Sequence, residues 1–208
     1  MKLLVLGATG GVGLEVIRQA TNRAHSVTAF VRSPERLKPF NGRLTIQQGN
    51  LLDSAELAHA IKGHDAVLSG FGPRLPLAKS DANLLRNFAA ALTVAAQQTS
   101  VKRVIVVSTA FLFKDSVLPP AHLIGRLFFP SVVADASAME RIFMHSDLDW
   151  TIVRPPQLTD DPCTGQYRVR EGHLPRFGFK ISRANVADCI IKTAEKRAAV
   201  QTILGASN

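Results

Sequence analysis

A short apolar run followed by three evenly spaced glycines constrains the fold of this chain more than any other feature. The branched, apolar segment Lys2–Leu6 is typical of a buried strand. Gly7, Gly10 and Gly13 follow it, and apolar residues recur at helical spacing over Gly13–Ala20. Glycines between a strand and a helix let backbone N–H groups approach a pyrophosphate, and the helix dipole favours its charge. The pattern therefore predicts a dinucleotide-binding loop.

Further apolar runs follow at intervals that leave room for helices. The predicted strands are Ser26–Val31, Leu44–Gln48, Ala66–Ser69, Arg103–Val107, Trp150–Val153, Phe179–Ile181 and Thr202–Leu204. The predicted helices are one capped by Ser54, then Ala82–Ala96, Ala134–Met144, and one capped by Ser182 that ends near Ala198. Strands that alternate with helices form βαβ units. We expect one Rossmann-type α/β domain over residues 1–208, a doubly wound parallel sheet with small pocket elements in its C-terminal half.

Composition narrows the classes of partner. The formal net charge of +9 favours a polyanion, either nucleic acid or a small cofactor. Because the basic residues are scattered and aromatic side chains are sparse, no nucleic-acid partner is expected. Cys163 and Cys189 lack metal-ligand spacing, so no metal site is expected. No apolar run approaches the ~20 residues of a membrane span. We expect a cytoplasmic protein without a membrane partner, a monomer or a weak homo-oligomer.

The end of the second predicted strand indicates which dinucleotide binds. An acid there accepts a hydrogen bond from the ribose of NAD, whereas an arginine suits the 2′-phosphate of NADP. This chain has Arg32 at that position and Arg36 one helical turn further on, and no acid ends the strand. Guanidinium groups bind phosphate in bidentate fashion. We therefore predict NADP(H), with NAD(H) disfavoured, and we place Asn50 near the adenine.

Several segments resemble a known family. The glycine loop, Val31-Arg32 and Gly49-Asn50 resemble the NmrA-like group of atypical short-chain dehydrogenases. The segments 108–113, 154–160 and 164–167 resemble the biliverdin reductase B, or NADPH-flavin reductase, branch of that group. The resemblance implies a cofactor site formed by Gly7, Thr9, Gly10, Gly11, Val12, Gly13, Arg32, Arg36, Asn50, Leu51, Gly72, Arg74 and Pro155. It also places Thr109 against the nicotinamide and substrate. The active-site histidines of that branch fall on Ala136 and Gln157 here, which argues against biliverdin as the substrate.

The absence of a catalytic tyrosine–lysine pair limits the chemistry expected of the bound cofactor. Short-chain dehydrogenases reduce carbonyls with a Tyr-x-x-x-Lys pair, but Tyr167 is followed four residues later by Glu171. Hydride transfer to a flavin is less demanding, because the flavin ring stabilises charge and water supplies the proton. Ser108 and Thr109 are candidate hydrogen-bonding catalytic residues. The predicted substrate pocket comprises Ala110, Phe111, Phe113, Pro156 and Gln157.

Three functions remain open at this level. The first is an NADPH-dependent oxidoreductase that passes hydride to a flavin, a quinone or a similar planar acceptor, with flavin as substrate rather than prosthetic group. The second is a non-catalytic NADP sensor that reports redox state to a protein partner. The third, an epimerase or dehydratase, is disfavoured because the tyrosine of a Tyr-x-x-x-Lys pair is missing. The acidic pair Asp160-Asp161 is interpreted as a solvated loop.

Overall fold

The computed structural model describes residues 1–40, 42–72, 83–113, 127 and 129–208. Its strands are β1 Lys2–Leu6, β2 Ser26–Val31, β3 Thr45–Gln48, β4 Ala66–Ser69, β5 Arg103–Val107, β6 Asp149–Arg154, β7 Gln157–Thr159, β8 Arg168–Glu171, β9 Lys180–Ser182 and β10 Thr202–Ser207. Its α-helices are α1 Gly11–Asn22, α2 Ser54–Ile61, α3 Leu84–Gln97, α4 Pro130–Met144 and α5 Arg183–Glu195. Short 3-10 helices span Pro34–Phe40 and Ala110–Leu112.

Eight of the described strands form one sheet in the order β3-β2-β1-β4-β5-β6-β10-β8. All neighbouring strands in it are parallel except β8, which runs antiparallel to β10 at the edge. The predicted doubly wound parallel sheet is confirmed. The strand order reverses between β1 and β4, and ligands of such sheets bind in the crevice at this switch point. The glycine loop follows β1 and therefore lies at that crevice.

Alternating side chains of β1 supply both hydrophobic cores. Leu3 and Val5 face one core, which is closed by α1 and α5, whereas Leu4 and Leu6 face the other, which is closed by α2, α3 and α4. All four side chains are completely buried. Burial on both faces explains why this strand reads as a continuous apolar run rather than as an alternating one.

Hydrogen bonds at the helix N-termini correct one prediction and confirm another. Asp53, not Ser54, caps α2, because its carboxylate accepts from the backbone N–H groups of Ala55 (2.9 Å) and Glu56 (3.0 Å). Both residues are good caps, and the chain turns one residue earlier than predicted. Ser182 caps α5 as predicted, since its Oγ accepts from Asn185 N at 3.0 Å.

A carboxylate from another helix caps α3. Asp135 on α4 accepts from the backbone N–H groups of Leu85 (2.8 Å) and Arg86 (2.9 Å). Asp135→Ala is expected to lower the free energy of unfolding by about 1–2 kcal/mol, because two donors in the first turn of α3 lose their acceptor. Urea unfolding followed by circular dichroism measures this loss. Asp135→Asn, which keeps one acceptor oxygen, should lose less; equal losses would contradict the capping role.

Candidate functional site

The glycine loop turns sharply between β1 and α1. Gly7 adopts φ +67°, a conformation that L side chains rarely take, and its carbonyl accepts from Gly10 N at 2.9 Å. A Cβ at Gly13 would collide with that carbonyl and would lie 2.8 Å from Ala8 Cα. Both glycines are therefore needed for the backbone to close on itself before α1 begins.

The segment after β4 packs directly on the glycine loop. A Cβ at Gly7 would lie 2.5 Å from Phe71 N, and a Cβ at Gly70 would lie 2.9 Å from Gly13 N. The sequence indicated that residues after β4 belong to the site, but no local pattern revealed this contact. The two loops at the switch point are consequently held backbone to backbone. Gly72 is exposed, and no atom of the described residues lies within 4 Å of the position that a Cβ would take there. Arg74 lies outside the described residues.

The N-terminus of α1 suits an anion. Its N-cap is Gly10, no side chain of the described residues is seen to cap it, and its first turn carries no acid. The backbone N–H groups of Gly11, Val12 and Gly13 lack intrahelical acceptors in such a first turn. By contrast, Asp53 and Ser182 cap α2 and α5. The narrow glycine cradle and these N–H groups fit a pyrophosphate. Thr9 lies half-buried in the same loop.

An open cleft of about 730 Å³ lies beside the carboxyl ends of β2 and β3. Its lining includes Phe30, Arg32, Gln47, Gln48, Gly49, Asn50, Ala55, Glu56 and His59. Arg32 is exposed and lines this cleft, whereas Arg36 is exposed on the 3-10 helix and does not line it. The cleft is large enough for one end of a dinucleotide, and Arg32 gives it positive charge.

Glu56 shapes this cleft, although no sequence motif points to it. Its Oε2 accepts from Asn50 N at 2.7 Å and would lie 2.7 Å from a Cβ at Gly49. The Asn50 side chain accepts from Leu52 N at 3.0 Å, which closes a local turn. Leu51 is half-buried against the core. The carboxylate therefore fixes the loop in which Asn50 and Leu51 stand.

The ends of β5 and β6 are joined by backbone hydrogen bonds. Ser108 N donates to Val153 O at 2.8 Å, and Ala110 N donates to Pro155 O at 3.0 Å. Thr109 caps the 3-10 helix, since its Oγ1 accepts from Phe111 N at 3.3 Å. A hydroxyl that accepts one hydrogen bond can also donate one.

The Ser108 hydroxyl differs from that of Thr109. Its Oγ is buried and has no hydrogen-bond partner among the described residues. Buried polar groups are nearly always paired. Five other side-chain atoms among the described residues share this property, in Thr21, Thr93, Arg103, Trp150 and Ser207. Ser108 differs from them because it follows β5 at the end of the sheet that faces the switch-point crevice. Ser108 is therefore the stronger of the two candidate catalytic residues.

The predicted pocket residues separate into two groups. Phe111 stacks on Phe129 with ring centroids 6.2 Å apart and rings tilted by 13°. Phe113 and Ala110 are buried, with 2% and 8% of their surfaces exposed. Pro156 is half-buried, while Gln157 is exposed on β7. Phe111 and Pro156 are therefore partly accessible, whereas Phe113 and Ala110 are packed in the interior. The substrate pocket stays a prediction.

A buried ion pair lies next to Phe113. Arg154 donates to both Glu140 oxygens, at 3.0 Å to Oε1 and 2.5 Å to Oε2, and its guanidinium lies 4.7 Å from the ring centroid of Phe113. The Glu140 side chain is only 2% exposed. Because the two charges neutralise each other, they position Phe113 without giving the pocket a net charge.

Tyr167 is engaged in a charged cluster rather than in the crevice. Its hydroxyl donates to Asp188 Oδ2 at 2.7 Å, and Arg23 and Lys192 also bind that carboxylate. Burial, together with the hydrogen bond to Asp188, raises the pKa of the Tyr167 phenol above its ordinary value. Burial opposes ionisation of Asp188, but hydrogen bonds from Lys192, Tyr167 and Arg23 outweigh it and lower the pKa of the carboxyl. Tyr167 is thus held neutral by a structural partner.

Comparison with known proteins decides the family. The profile of the NAD(P)H-binding family matches residues 7–197, from the first glycine of the loop to the end of α5 and just beyond. The chain belongs to this NAD(P)H-binding family. A Bacillus subtilis member described as an uncharacterized sugar epimerase, YhfK, is 31% identical over 204 residues, covering 95% of this chain and 89% of its own. The family fold and the crevice geometry together support binding of a nicotinamide cofactor.

Solved structures of similar fold extend the comparison. A Burkholderia pseudomallei protein described as a candidate exported protein is 28% identical and has a TM-score of 0.84, with full coverage of both chains. The anaerobillin reductase ChuY of Escherichia coli O157:H7 is 21% identical, with a TM-score of 0.79, covering 99% of this chain and 97% of its own. A Veillonella parvula short-chain dehydrogenase/reductase in complex with NADP is 20% identical, with a TM-score of 0.78, covering 100% and 94%. At these identities the last two show the NAD(P)H-binding fold alone.

Other kinds of site find no support in the described parts of the chain. No group of three or more metal-ligating side chains occurs among the described residues. Cys163 is exposed and Cys189 is buried, and burial raises the pKa of the Cys189 thiol to about 11. Within the same residues, no helix has the length and apolarity needed to cross a bilayer. The cytoplasmic location stays a prediction.

Proposed function

We propose that this protein is an NADPH-dependent oxidoreductase that transfers hydride to a flavin or a similar planar acceptor. The observation that carries the proposal is the buried Ser108 Oγ, which has no hydrogen-bond partner among the described residues and lies at the end of β5, next to the switch-point crevice. A hydroxyl there can donate to a carbonyl of the nicotinamide or of the acceptor. The proposal needs no protein acid of the tyrosine type, in keeping with the engagement of Tyr167 by Asp188.

The preference for NADPH over NADH rests on Arg32. It lines the cleft at the end of β2, where a 2′-phosphate would stand in a Rossmann-type fold. The one carboxylate in that lining, Glu56, accepts from Asn50 N and so already has a backbone donor. An arginine with no competing acid at the strand end favours a phosphate over a ribose hydroxyl. Arg36 contributes positive charge from outside the lining.

The chain's own residues would bind and orient rather than react. The bound nicotinamide supplies a hydride, two electrons and one proton, which leaves it oxidised, and water supplies the second proton to the reduced acceptor. The uncapped N-terminus of α1 holds the pyrophosphate. Ser108 donates a hydrogen bond, and Thr109 holds the chain in the 3-10 helix. The flat Phe111–Phe129 stack offers a planar acceptor an apolar surface and excludes water.

Two names among similar proteins suggest different chemistries. ChuY is described as an anaerobillin reductase, which accords with reduction as the reaction. YhfK is described as a sugar epimerase. Epimerisation through a ketone needs a proton acceptor near the sugar hydroxyl. Because Tyr167 has a raised pKa and a fixed partner in Asp188, it argues against that role here.

Steady-state oxidation of NADPH tests the proposal. Purified protein is mixed with NADPH and either FMN, riboflavin or a quinone, and the nicotinamide absorbance band is followed. We expect oxidation that saturates with the acceptor and that is slower with NADH. Tight NADPH binding without turnover on any of these acceptors would contradict the proposal and favour a sensor of redox state.

Ser108→Ala is expected to lower kcat by about 3- to 10-fold, the effect of one neutral hydrogen bond worth ~1 kcal/mol. The fold should be unaffected, because the hydroxyl has no partner among the described residues. Tyr167→Phe is the matched control, since it also removes one hydroxyl. It should keep kcat and instead lower the thermal midpoint, because Asp188 loses a donor. A lower kcat in Tyr167→Phe with an unchanged kcat in Ser108→Ala would instead assign the proton-donating role to Tyr167.

A further inference from the structure

Arg183, the first residue of α5, lies across the glycine loop although it is 172 residues away in the chain from Gly11. A Cβ at Gly11 would lie 2.5 Å from Arg183 Cδ and 2.8 Å from its Nε. Gly11 is the first residue of α1, where the uncapped N–H groups stand. Because Gly11 has no side chain, there is room here for the side chain of Arg183, called the arginine arm below, as well as for the cofactor.

Buried packing fixes the start of this arm. Gln19 on α1 donates to Ala184 O at 2.8 Å, and Arg23 pairs with Asp188 further along α5. Ser182 caps α5 directly before Arg183 and is completely buried. Because α1 and α5 are tied at these points, the Arg183 backbone is held beside the N-terminus of α1.

Among the described residues, an exposed carboxylate is what holds the far end of the arm. Arg183 Nη1 donates to Asp160 Oδ1 at 2.6 Å, with 90% of the Asp160 side chain exposed and 31% of that of Arg183. Exposed ion pairs contribute little to stability. A pyrophosphate at the loop carries two negative charges and offers several acceptor oxygens, and arginine binds such groups in bidentate fashion. The guanidinium can therefore leave Asp160 for the cofactor at small cost.

We propose that Arg183 is a further cofactor-binding residue that contacts the pyrophosphate at the glycine loop, and that Asp160 competes for its guanidinium. The inference rests on the dinucleotide binding that is part of the proposed function, but not on hydride transfer. It assigns a role to Asp160, which the sequence predicted to be part of a solvated loop. It also separates two arginine functions, since Arg32 selects the 2′-phosphate whereas Arg183 binds a group common to both cofactors.

Calorimetric titration of the full chain with NADPH and NADH tests the inference. Arg183→Ala should raise the Kd of both cofactors by a similar factor of about 10, the loss of one charge-assisted contact. Arg18→Ala is the matched control, because Arg18 stands further along α1 and pairs with Glu15. It should leave both Kd values unchanged. Unchanged Kd values in Arg183→Ala, or a loss confined to NADPH, would overturn the assignment.

A second variant removes the competitor without touching the fold. Asp160→Asn should tighten both cofactors by about 2- to 3-fold, in line with the small strength of an exposed pair. The gain should vanish in the Asp160→Asn/Arg183→Ala double variant. Unchanged or weaker binding in Asp160→Asn would overturn the competition. If the variants bind the cofactors as expected but the wild-type chain shows no turnover, the proposed hydride transfer alone is contradicted. If the wild-type chain binds no dinucleotide, both the hydride transfer and the role of Arg183 are overturned.

Discussion

Gly13→Ala is expected to weaken binding of both NADPH and NADH by about 100-fold or more, at ~1.4 kcal/mol per tenfold. The added Cβ would collide with the Gly7 carbonyl and would stand 2.8 Å from Ala8 Cα, both backbone atoms that cannot rotate away. The start of α1 must then move relative to β1, and the N–H groups that receive the pyrophosphate move with it. Overpacking of this kind also costs about 1–3 kcal/mol of stability. Calorimetric titration measures the binding loss.

Gly72→Ala serves as the control for a glycine replacement near the same crevice. None of the described residues has an atom within 4 Å of the position that its Cβ would take, so its thermal midpoint should match that of the wild-type chain. Circular dichroism on both variants separates loss of folding from loss of binding. A folded Gly13→Ala chain with wild-type affinity would show that the pyrophosphate does not bind at this loop.

Arg32→Ala should have the second-largest effect, and the effect should be selective. We expect the Kd for NADPH to rise by about 10- to 100-fold, as for a charged hydrogen-bonding partner worth ~1.5–3 kcal/mol. The Kd for NADH should stay nearly constant, because NADH lacks the 2′-phosphate. The same titrations at rising salt concentration should show a weaker salt dependence in the variant. Equal losses for both cofactors would refute the 2′-phosphate role.

Variants of two further arginines serve as comparisons for this result. Arg43→Ala removes an exposed arginine that does not line the cleft, and it should leave both affinities unchanged. Arg36→Ala tests the second arginine that the sequence assigned to the phosphate. Because Arg36 is exposed outside the cleft lining, we expect a smaller loss than for Arg32. A larger loss would mean that Arg36, rather than Arg32, is the main phosphate ligand.

The features that sequence predicted well depend on neighbours along the chain. β1, the glycine loop and the start of α1 follow one another without interruption, so apolar runs and glycine spacing were enough to predict them. The same holds for the Ser182 cap, whose partner Asn185 is three residues away. The strand alternation also predicted the parallel sheet. Each of these patterns combines local geometry with a general packing rule.

The features that sequence missed depend on contacts between distant segments. β8 carries little apolar signal, since its residues are exposed at the sheet edge and its backbone pairs with β10. Asp135 caps a helix that begins 51 residues earlier. Arg183 reaches Gly11 only because α1 and α5 pack side by side. Nothing in the local sequence marks such contacts, because the topology of the sheet brings their partners together.

The most direct test of hydride transfer from NADPH to a flavin is a single turnover in the absence of oxygen. Protein preloaded with one equivalent of NADPH is mixed with FMN, and the nicotinamide and flavin absorbance bands are recorded together. If the protein transfers hydride from NADPH to FMN, both bands should fall in equal molar amounts and faster than without protein. Bound NADPH that persists while the flavin stays oxidised would contradict this transfer.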